Sequence, residues 1–442
     1  VSSPPNIIYI LADDLGYGDL SCYGQSKFST PSIDRLAREG MLFTQHYSGA
    51  PVCAPARSVL MTGLHTGHTP VRGNAEVWPE GQEPLPGTSQ TLAEHLQNLG
   101  YRTGGFGKWG LGYPGSEGAP ENQGFDHFFG YNCQREAHTY WPEHLWRNEE
   151  KVILPANKDY QQRGTYAPTV IQKEALDFIR RNRDSSFFLY YAHTIPHAEM
   201  QAPRAYLDKY RGQFDPEVVF EGWSPPEPKP KWGYSGQKES HAAFAAMVNV
   251  LDDQIGELLS LLDSLQLTNN TLVIFTSDNG PHQEGGADPD YFDSNGPLRG
   301  YKRDLYEGGI RVPLLARWPA KVAAGSQSDI ISGFQDMLPT FIALAQGKQP
   351  QPIDGISLLP TLTETGQQRE HNHLYWEFGE RGGRVAVRRG RWKAIRYNVV
   401  SGEGDWELYD LHKDLAEQSD LASTYPDTLA SLVSLAIASH MD

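Results

Sequence analysis

Asn6-Ile-Ile-Tyr-Ile-Leu-Ala12 runs directly into Asp13-Asp14, and Thr271-Leu-Val-Ile-Phe-Thr276 runs into Ser277-Asp278-Asn279-Gly280. Each is a short apolar run rich in β-formers, the signature of a strand buried on both faces. Phe187-Phe-Leu-Tyr-Tyr-Ala192 is a third such run and Val312-Pro-Leu-Leu-Ala316 a weaker fourth. Helical patterns stand between them. Residues 31–40 open on Pro and close on Gly, and 89–99 close on Gly100, the expected punctuation of helix ends. Residues 166–182 and 241–265 carry apolar side chains at helical spacing. This alternation predicts an α/β fold: a large mixed, mostly parallel sheet sandwiched by helices.

Outward from that frame the texture changes. Residues 373–378, 384–389, 392–397 and 406–411 read as short strands in close succession, followed by a helical stretch at 426–440. They predict a smaller C-terminal antiparallel sheet plus helix, so a large domain is expected over 1–365 and a subdomain over 366–442. The 442 residues suffice for a large buried core with such an appendage. Two long segments, 214–236 (rich in Pro, Gly and Trp) and 280–309 (rich in Gly and Asp), read as irregular excursions.

The formal charge of −16 repels phosphate backbones and anionic lipid, so nucleic acid is not an expected partner. No apolar run is long enough for a membrane span. The opening Val-Ser-Ser-Pro-Pro carries no apolar signal core, as expected of a processed secretory chain or of a trimmed one. Cys22, Cys53 and Cys133 form no disulfide framework, although Cys22 and Cys133 could pair.

Chemistry gathers where two strands end. In open α/β sheets ligands bind at the carboxyl ends of strands. There Asp13, Asp14, Asp278 and Asn279 offer an all-oxygen ligand set, which suits a hard divalent cation, and Ca²⁺ tolerates its irregular geometry better than Mg²⁺. Read singly, each acid could instead cap a turn or helix. A third element is Pro51-Val-Cys-Ala-Pro-Ala-Arg-Ser-Val-Leu-Met-Thr-Gly63. Pro55 suits a first helical turn, placing Cys53 at a helix N-terminus where amides and dipole favour an anion. Arg57, one turn in, can aim at the same place. The alternative is a buried structural cysteine.

Cys53-Ala-Pro-Ala-Arg57 with Thr62-Gly63 resembles the Cys-x-Pro-x-Arg signature of the type I, formylglycine-dependent sulfatases of the alkaline phosphatase superfamily. Asp13-Asp14 resembles that family's first calcium pair, Gly107-Lys108-Trp109 its lysine motif, and Pro196-His197 its histidine motif. Thr276-Ser-Asp-Asn-Gly280 resembles the second calcium pair, Lys302 before Tyr306-Glu-Gly-Gly309 the second lysine, and Leu408-Tyr-Asp-Leu411 a strand of the C-terminal subdomain. The resemblance spans essentially the whole chain.

The resemblance implies sulfate-ester hydrolysis. Cys53 would be oxidised to formylglycine by a formylglycine-generating or anaerobic sulfatase-maturating enzyme, and one hydroxyl of its gem-diol would attack sulfur while the other later expels sulfate. One Ca²⁺ on Asp13, Asp14, Asp278, Asn279 and the modified Cys53, with Arg57, Lys108 and Lys302, would neutralise the sulfate oxygens. His197 would protonate the leaving group, with His193 as competitor. One departure stands out: many members carry His two residues after the motif lysine, where this chain has Gly110, so the base is unassigned; His127 and His138 are near in sequence. A sulfated carbohydrate is the expected substrate, with His138, Arg72 and Asn74 as candidate contacts and Gln134–Glu136, Trp141 and 288–295 as further rims. A periplasmic or extracellular setting is expected. Two alternatives remain at this point: a phosphodiesterase or phosphonate monoester hydrolase of the same superfamily, and a sulfated-glycan binder without catalysis.

Overall fold

The computed structural model describes residues 4–158, 162–224 and 233–441. Part of the Pro- and Trp-rich excursion, 225–232, lies outside the described residues. At the centre stands the Asn6–Ala12 strand, parallel to Thr271–Ser277 on one side and to Phe187–Ala192 on the other. Tyr9 sits opposite Ile274 and Tyr190 in the two registers. From edge to edge the strands run Ser326–Ser328, Met41–Tyr47, Arg311–Arg317, Thr271–Ser277, Asn6–Ala12, Phe187–Ala192, Arg102–Lys108, His127–Tyr131, His144–Arg147 and Glu150–Ile153, with Ser332–Gly333 also on Met41–Tyr47.

Side chains alternate across a strand, and the central one feeds two cores. Ile8, Ile10 and Ala12 belong to a cluster that includes Met247 and Leu251 of the Ser240–Ser264 helix and Ile171 of the Ala167–Arg181 helix. Ile7, Tyr9 and Leu11 belong to the opposite one, with Leu60 of the Cys53–Thr62 helix, Leu96 of the Leu92–Asn98 helix and Phe341 of the Met337–Leu344 helix. Full burial of each large apolar side chain contributes about 1.5–3 kcal/mol. This two-faced demand is why the strand contains no polar residue between Asn6 and Asp13.

The Arg311–Arg317 strand runs antiparallel to Thr271–Ser277, a mixed flank of the mostly parallel sheet. Two local readings need adjustment. The helix expected from residue 89 begins at Leu92, because Thr91 caps it: its side chain accepts from Glu94 N, and the Glu94 carboxylate takes Thr91 N. Segment 280–309 holds two single helical turns, Pro289–Phe292 and Glu307–Ile310.

Four antiparallel strands, Leu374–Phe378, Arg384–Arg389, Trp392–Tyr397 and Trp406–Asp410, form the second sheet. One face, with Val387 and Leu408, packs on Leu432 and Ala436 of the Pro426–Ser439 helix. The other, with Trp376 and Ile395, packs on Tyr47, Leu305 and Ile310 of the main sheet's flank. Cys22, Cys53 and Cys133 are all free thiols, so Cys22 and Cys133 are not paired. No helix among the described residues is long and apolar enough to cross a membrane.

Candidate active site

The Asn6–Ala12 and Thr271–Ser277 strands end together, and hydrogen bonding continues past their ends. Asp13 N donates to Ile195 O (3.1 Å), Asp278 N to Ala12 O (3.0 Å) and His193 N to Leu11 O (2.9 Å). These bonds fix the backbone beneath each acid. Asp14 holds φ at +65°, a left-handed conformation unusual for a residue with Cβ. Its amide donates to Asp278 Oδ1 at 3.0 Å, which joins the two acidic pairs.

Cys53 is the first residue of the Cys53–Thr62 helix, all of whose residues are buried. Val52 supplies no side-chain cap, and the free amide of Ala54 is instead taken by Asn74 Oδ1 at 2.9 Å. Arg57, one turn along the same face, places Nη2 2.9 Å from Asp278 Oδ2 and donates Nη1 to the Lys108 carbonyl. The Cys53 Sγ lies 3.4 Å from Asp13 Oδ1, 3.9 Å from Asp14 Oδ1 and 3.4 Å from Lys108 Nζ. Lys108, at the end of the Arg102–Lys108 strand, is 2.7 Å from Asp13 Oδ2.

Lys302 arrives from the long loop and sits 2.7 Å from Asp14 Oδ2 and 3.1 Å from His197 Nε2. The other ring nitrogen of His197 is 2.6 Å from the Ala198 carbonyl. Nδ1 therefore carries the proton, and Nε2 accepts from the Lys302 ammonium. His138 stacks on His197 with ring centroids 5.0 Å apart and planes at 12°. His282 also stacks near His197, with ring centroids 5.7 Å apart. Glu284, 3.7 Å from Lys302 Nζ and ion-paired with Arg303, closes the ring of charge.

Burial and charge act against each other at every group. Burial, then the Asp278 carboxylate, pushes the Cys53 thiol well above its ordinary range, more than Lys108 can offset. A neutral thiol is a poor nucleophile at neutral pH. Burial and Asp13 raise Asp278 to about 6 against the pull of Arg57. For Asp14 burial also pushes upward, but the Lys302 ammonium wins and holds it well below the usual carboxylate range. Burial lowers the Lys302 and Lys108 ammonium groups, but Asp14 and Asp13 respectively reverse this and keep both charged. Burial and Lys302 depress His197, which is neutral.

A cation suits this place. Ligand atoms of Asp13, Asp14, Cys53 and His197 all lie within 4.8 Å of one another. Asn279 donates Nδ2 to Asp14 Oδ1 at 2.7 Å, while its Oδ1 is buried with no hydrogen-bond partner. Three carboxylates here face three basic side chains, so their charges cancel, and a bound divalent ion would leave the pocket net positive, as an anionic ester requires. The oxygen donors of Asp13, Asp14, Asp278 and Asn279 fit a hard cation such as Ca²⁺.

The remaining sequence candidates fall at different distances. His138 is inside the site, with Nδ1 buried and unpartnered. Asn74 caps the cysteine helix, and Arg72 spans toward the second sheet, 3.1 Å from Glu377 and 2.7 Å from the Met441 carbonyl. His193 is tied to Gln254 at 2.6 Å and accepts from Ile195 N, which commits it to the scaffold. His127 lies away, 3.4 Å from Glu174. Gly110 has φ of +78°, and a Cβ there would meet Gln134 Nε2 at 2.4 Å. The Gln134 amide thus fills the space a side chain at 110 would need, and its Nε2 is buried without a partner. His282, Glu284 and Arg303 were not singled out from sequence as parts of this centre, and Gln134 was read only as a pocket rim. The run Pro281-His-Gln-Glu284 immediately after Asp278-Asn-Gly was the available signal.

The sulfatase family model matches residues 5–347, and a model described as N-sulphoglucosamine sulphohydrolase, C-terminal, matches 300–435. The chain is 31% identical to N-acetylgalactosamine-6-sulfatase of Mus musculus, covering 99% of this chain and 80% of that protein. It is 32% identical to arylsulfatase A of Homo sapiens over 98% of this chain and 87% of that one. Among solved structures, Ps i-CgsB in complex with k-i-k-neocarrahexaose is similar with a TM-score of 0.80 at 27% identity, covering 98% and 92% of the two chains.

Proposed function

We propose a mechanism for this chain, which belongs to the sulfatase family and is a sulfuric ester hydrolase: it cleaves a sulfate ester of a sulfated carbohydrate with a nucleophile made from Cys53. The single observation that carries the reading is the convergence of Asp13, Asp14 and Lys108 within 3.9 Å of Cys53 Sγ. A formylglycine at 53 supplies, as its hydrate, an oxygen nucleophile, and Ca²⁺ on Asp13, Asp14, Asp278 and Asn279 supplies Lewis-acid charge beside it.

The protein's own side chains do the rest. Lys108 and Lys302 reach opposite sides of the acid cluster and are placed to grip two sulfate oxygens. Arg57 holds Asp278 and, through the Lys108 carbonyl, the end of the lysine strand. His197 is the proton donor for the leaving oxygen. Its Nδ1 is committed to Ala198 O, so the ring must take up a proton at Nε2 from solvent when the anionic ester binds and deliver it from there, while Lys302 keeps its charge. Gln134 occupies the place left by the missing motif histidine. An amide cannot serve as a base at this pH, so its role is to donate Nε2–H to an oxygen of the reacting group.

The carbohydrate class is supported by the relatives: one is named for an N-acetylgalactosamine sulfate, and Ps i-CgsB was solved with an oligosaccharide. The test is release of free sulfate from a panel of sulfated oligosaccharides by protein from its native host, with and without a calcium chelator. Calcium-dependent sulfate release is expected. Turnover of phosphate or phosphonate esters in its place, or binding with no release, would replace the reading with one of the two alternatives.

A further inference from the structure

We propose that Glu80, Glu136 and His144 form a second metal site, apart from the Cys53 centre, that takes one transition-metal ion of the zinc type. The inference goes beyond the sulfate chemistry and does not rest on it. Glu136 is 0% exposed, and its carboxyl has no polar partner outside the Glu80–His144 group, where it can bond Glu80 only by keeping its own proton. A buried carboxyl in that state must keep its proton or meet a cation. Burial, and then the neighbouring Glu80, drives its pKa well upward. Glu80 also feels burial but is brought down to about 2 by hydrogen bonds from His144, from the protonated Glu136 carboxyl and from Trp146.

The spacing fits a metal. His144 Nε2 lies 2.8 Å from Glu80 Oε1 and 3.2 Å from Glu136 Oε1, and the three ligand atoms fall within 4.8 Å of one another. Tetrahedral zinc with bonds of about 2.0–2.1 Å holds its ligands about 3.3 Å apart. One imidazole with two carboxylates is a donor set for zinc or its neighbours, not for calcium. Loading displaces the Glu136 proton, and His144 then carries its own on Nδ1. Trp146 Nε1, 2.6 Å from Glu80 Oε1, would orient that carboxylate from outside.

The placement gives the ion a job. Glu136 and His138 share the single turn Glu136–His138, whose histidine stacks on His197. Glu80 lies in the segment closed by the Glu76–Gln82 bridge, and Gln82 Oε1 accepts from Gln134 N at 2.7 Å. The ion would tie this rim segment to the wall that carries Gln134 and His138.

The full-length chain, kept in excess calcium, is incubated with zinc, desalted and analysed for metal content. Cobalt(II) is used in parallel, for the visible absorption of its four-coordinate form. The wild type should retain about one zinc per chain. Glu136→Gln, nearly isosteric with the protonated carboxyl and so expected to fold, should lose it, as should His144→Ala. His68→Ala, in the separate His65–His68–Asp354 cluster, should keep it. No retained zinc in the wild type, equal zinc in Glu136→Gln, or loss confined to His68→Ala would each overturn the proposal.

Discussion

Two of the buried charge networks among the described residues make a contrast: the one at the seam between the sheets is closed, and the one at the strand ends has an open place in it. At the seam between the sheets, Lys393 Nζ stands 2.9 Å from Glu307 Oε1 and 2.9 Å from Glu417 Oε1, with Arg311 Nη1 3.2 Å from Glu307 Oε2 and Tyr47 donating to the same oxygen at 2.6 Å. At the strand ends, Arg57, Lys108 and Lys302 face Asp13, Asp14 and Asp278. Both networks split their acids. At the seam burial raises both carboxyls, but Lys393 and Arg311 bring Glu307 down to about 2, while Glu417 stays up at about 7. At the strand ends Asp14 is held low and Asp278 reaches about 6. Charge burial and shifted pKa values therefore do not mark a reactive site by themselves. A left-handed acid does not mark it either, since Glu417 holds φ at +51°. What marks it is the thiol among the acids and an Asn279 oxygen with neither a hydrogen-bond nor an ion-pair partner. The seam is a clamp, and the strand-end cluster is a receptacle.

Substitutions should separate the two. The largest effect is expected for Cys53→Ala: sulfate release should vanish while the denaturation midpoint barely moves. Lys393→Met should do the reverse, leaving Glu417 without its cation and Glu307 with only Arg311 and Tyr47, at a cost of about 3–5 kcal/mol by denaturant titration. Lys302→Ala should lower kcat by about 10²–10³-fold, the size of a lost oxyanion donor, with a smaller change in KM. If Lys302→Ala and Lys393→Met lost stability equally, the receptacle would be no different from the clamp.

The smallest effect is a pH dependence. Glu417 is raised from its ordinary 4.5 to about 7 by burial. A carboxyl raised on folding favours the folded state below the unfolded pKa, and this advantage fades as pH climbs through the folded one. Stability should therefore decline between about pH 4.5 and 7 in the wild type, and Glu417→Gln should flatten that slope in thermal melts. Glu307, depressed to about 2, acts oppositely: its contribution is present above about pH 4.5 and is lost as pH falls toward 2.

The central strands were legible because burial on both faces leaves a continuous apolar run, as in Asn6–Ala12 and Phe187–Ala192. Arg102–Lys108 was not, because its sequence Arg-Thr-Gly-Gly-Phe-Gly-Lys hides the pattern. The glycines answer to tight packing: a Cβ at Gly104 would meet the Phe178 ring at 2.9 Å, and one at Gly107, where φ is +100°, would meet the Ala192 carbonyl at 1.9 Å. The acids of the site stood out by following strands directly. Lys302 and His197 could be named only through family resemblance, since both arrive on loops whose course no local pattern dictates. Glu284 went unread for the same reason, and Gln134 was read as a rim but not as the neighbour of Gly110. The Glu80–Glu136–His144 group went unread because three separate segments supply it.

The most direct measurement is the mass of the Cys53 peptide from a sulfate-releasing preparation made in the native host. A residue about 18 Da lighter than cysteine is predicted, the change expected on conversion of the thiol to an aldehyde. A fully active preparation in which Cys53 remains an intact thiol would contradict the account.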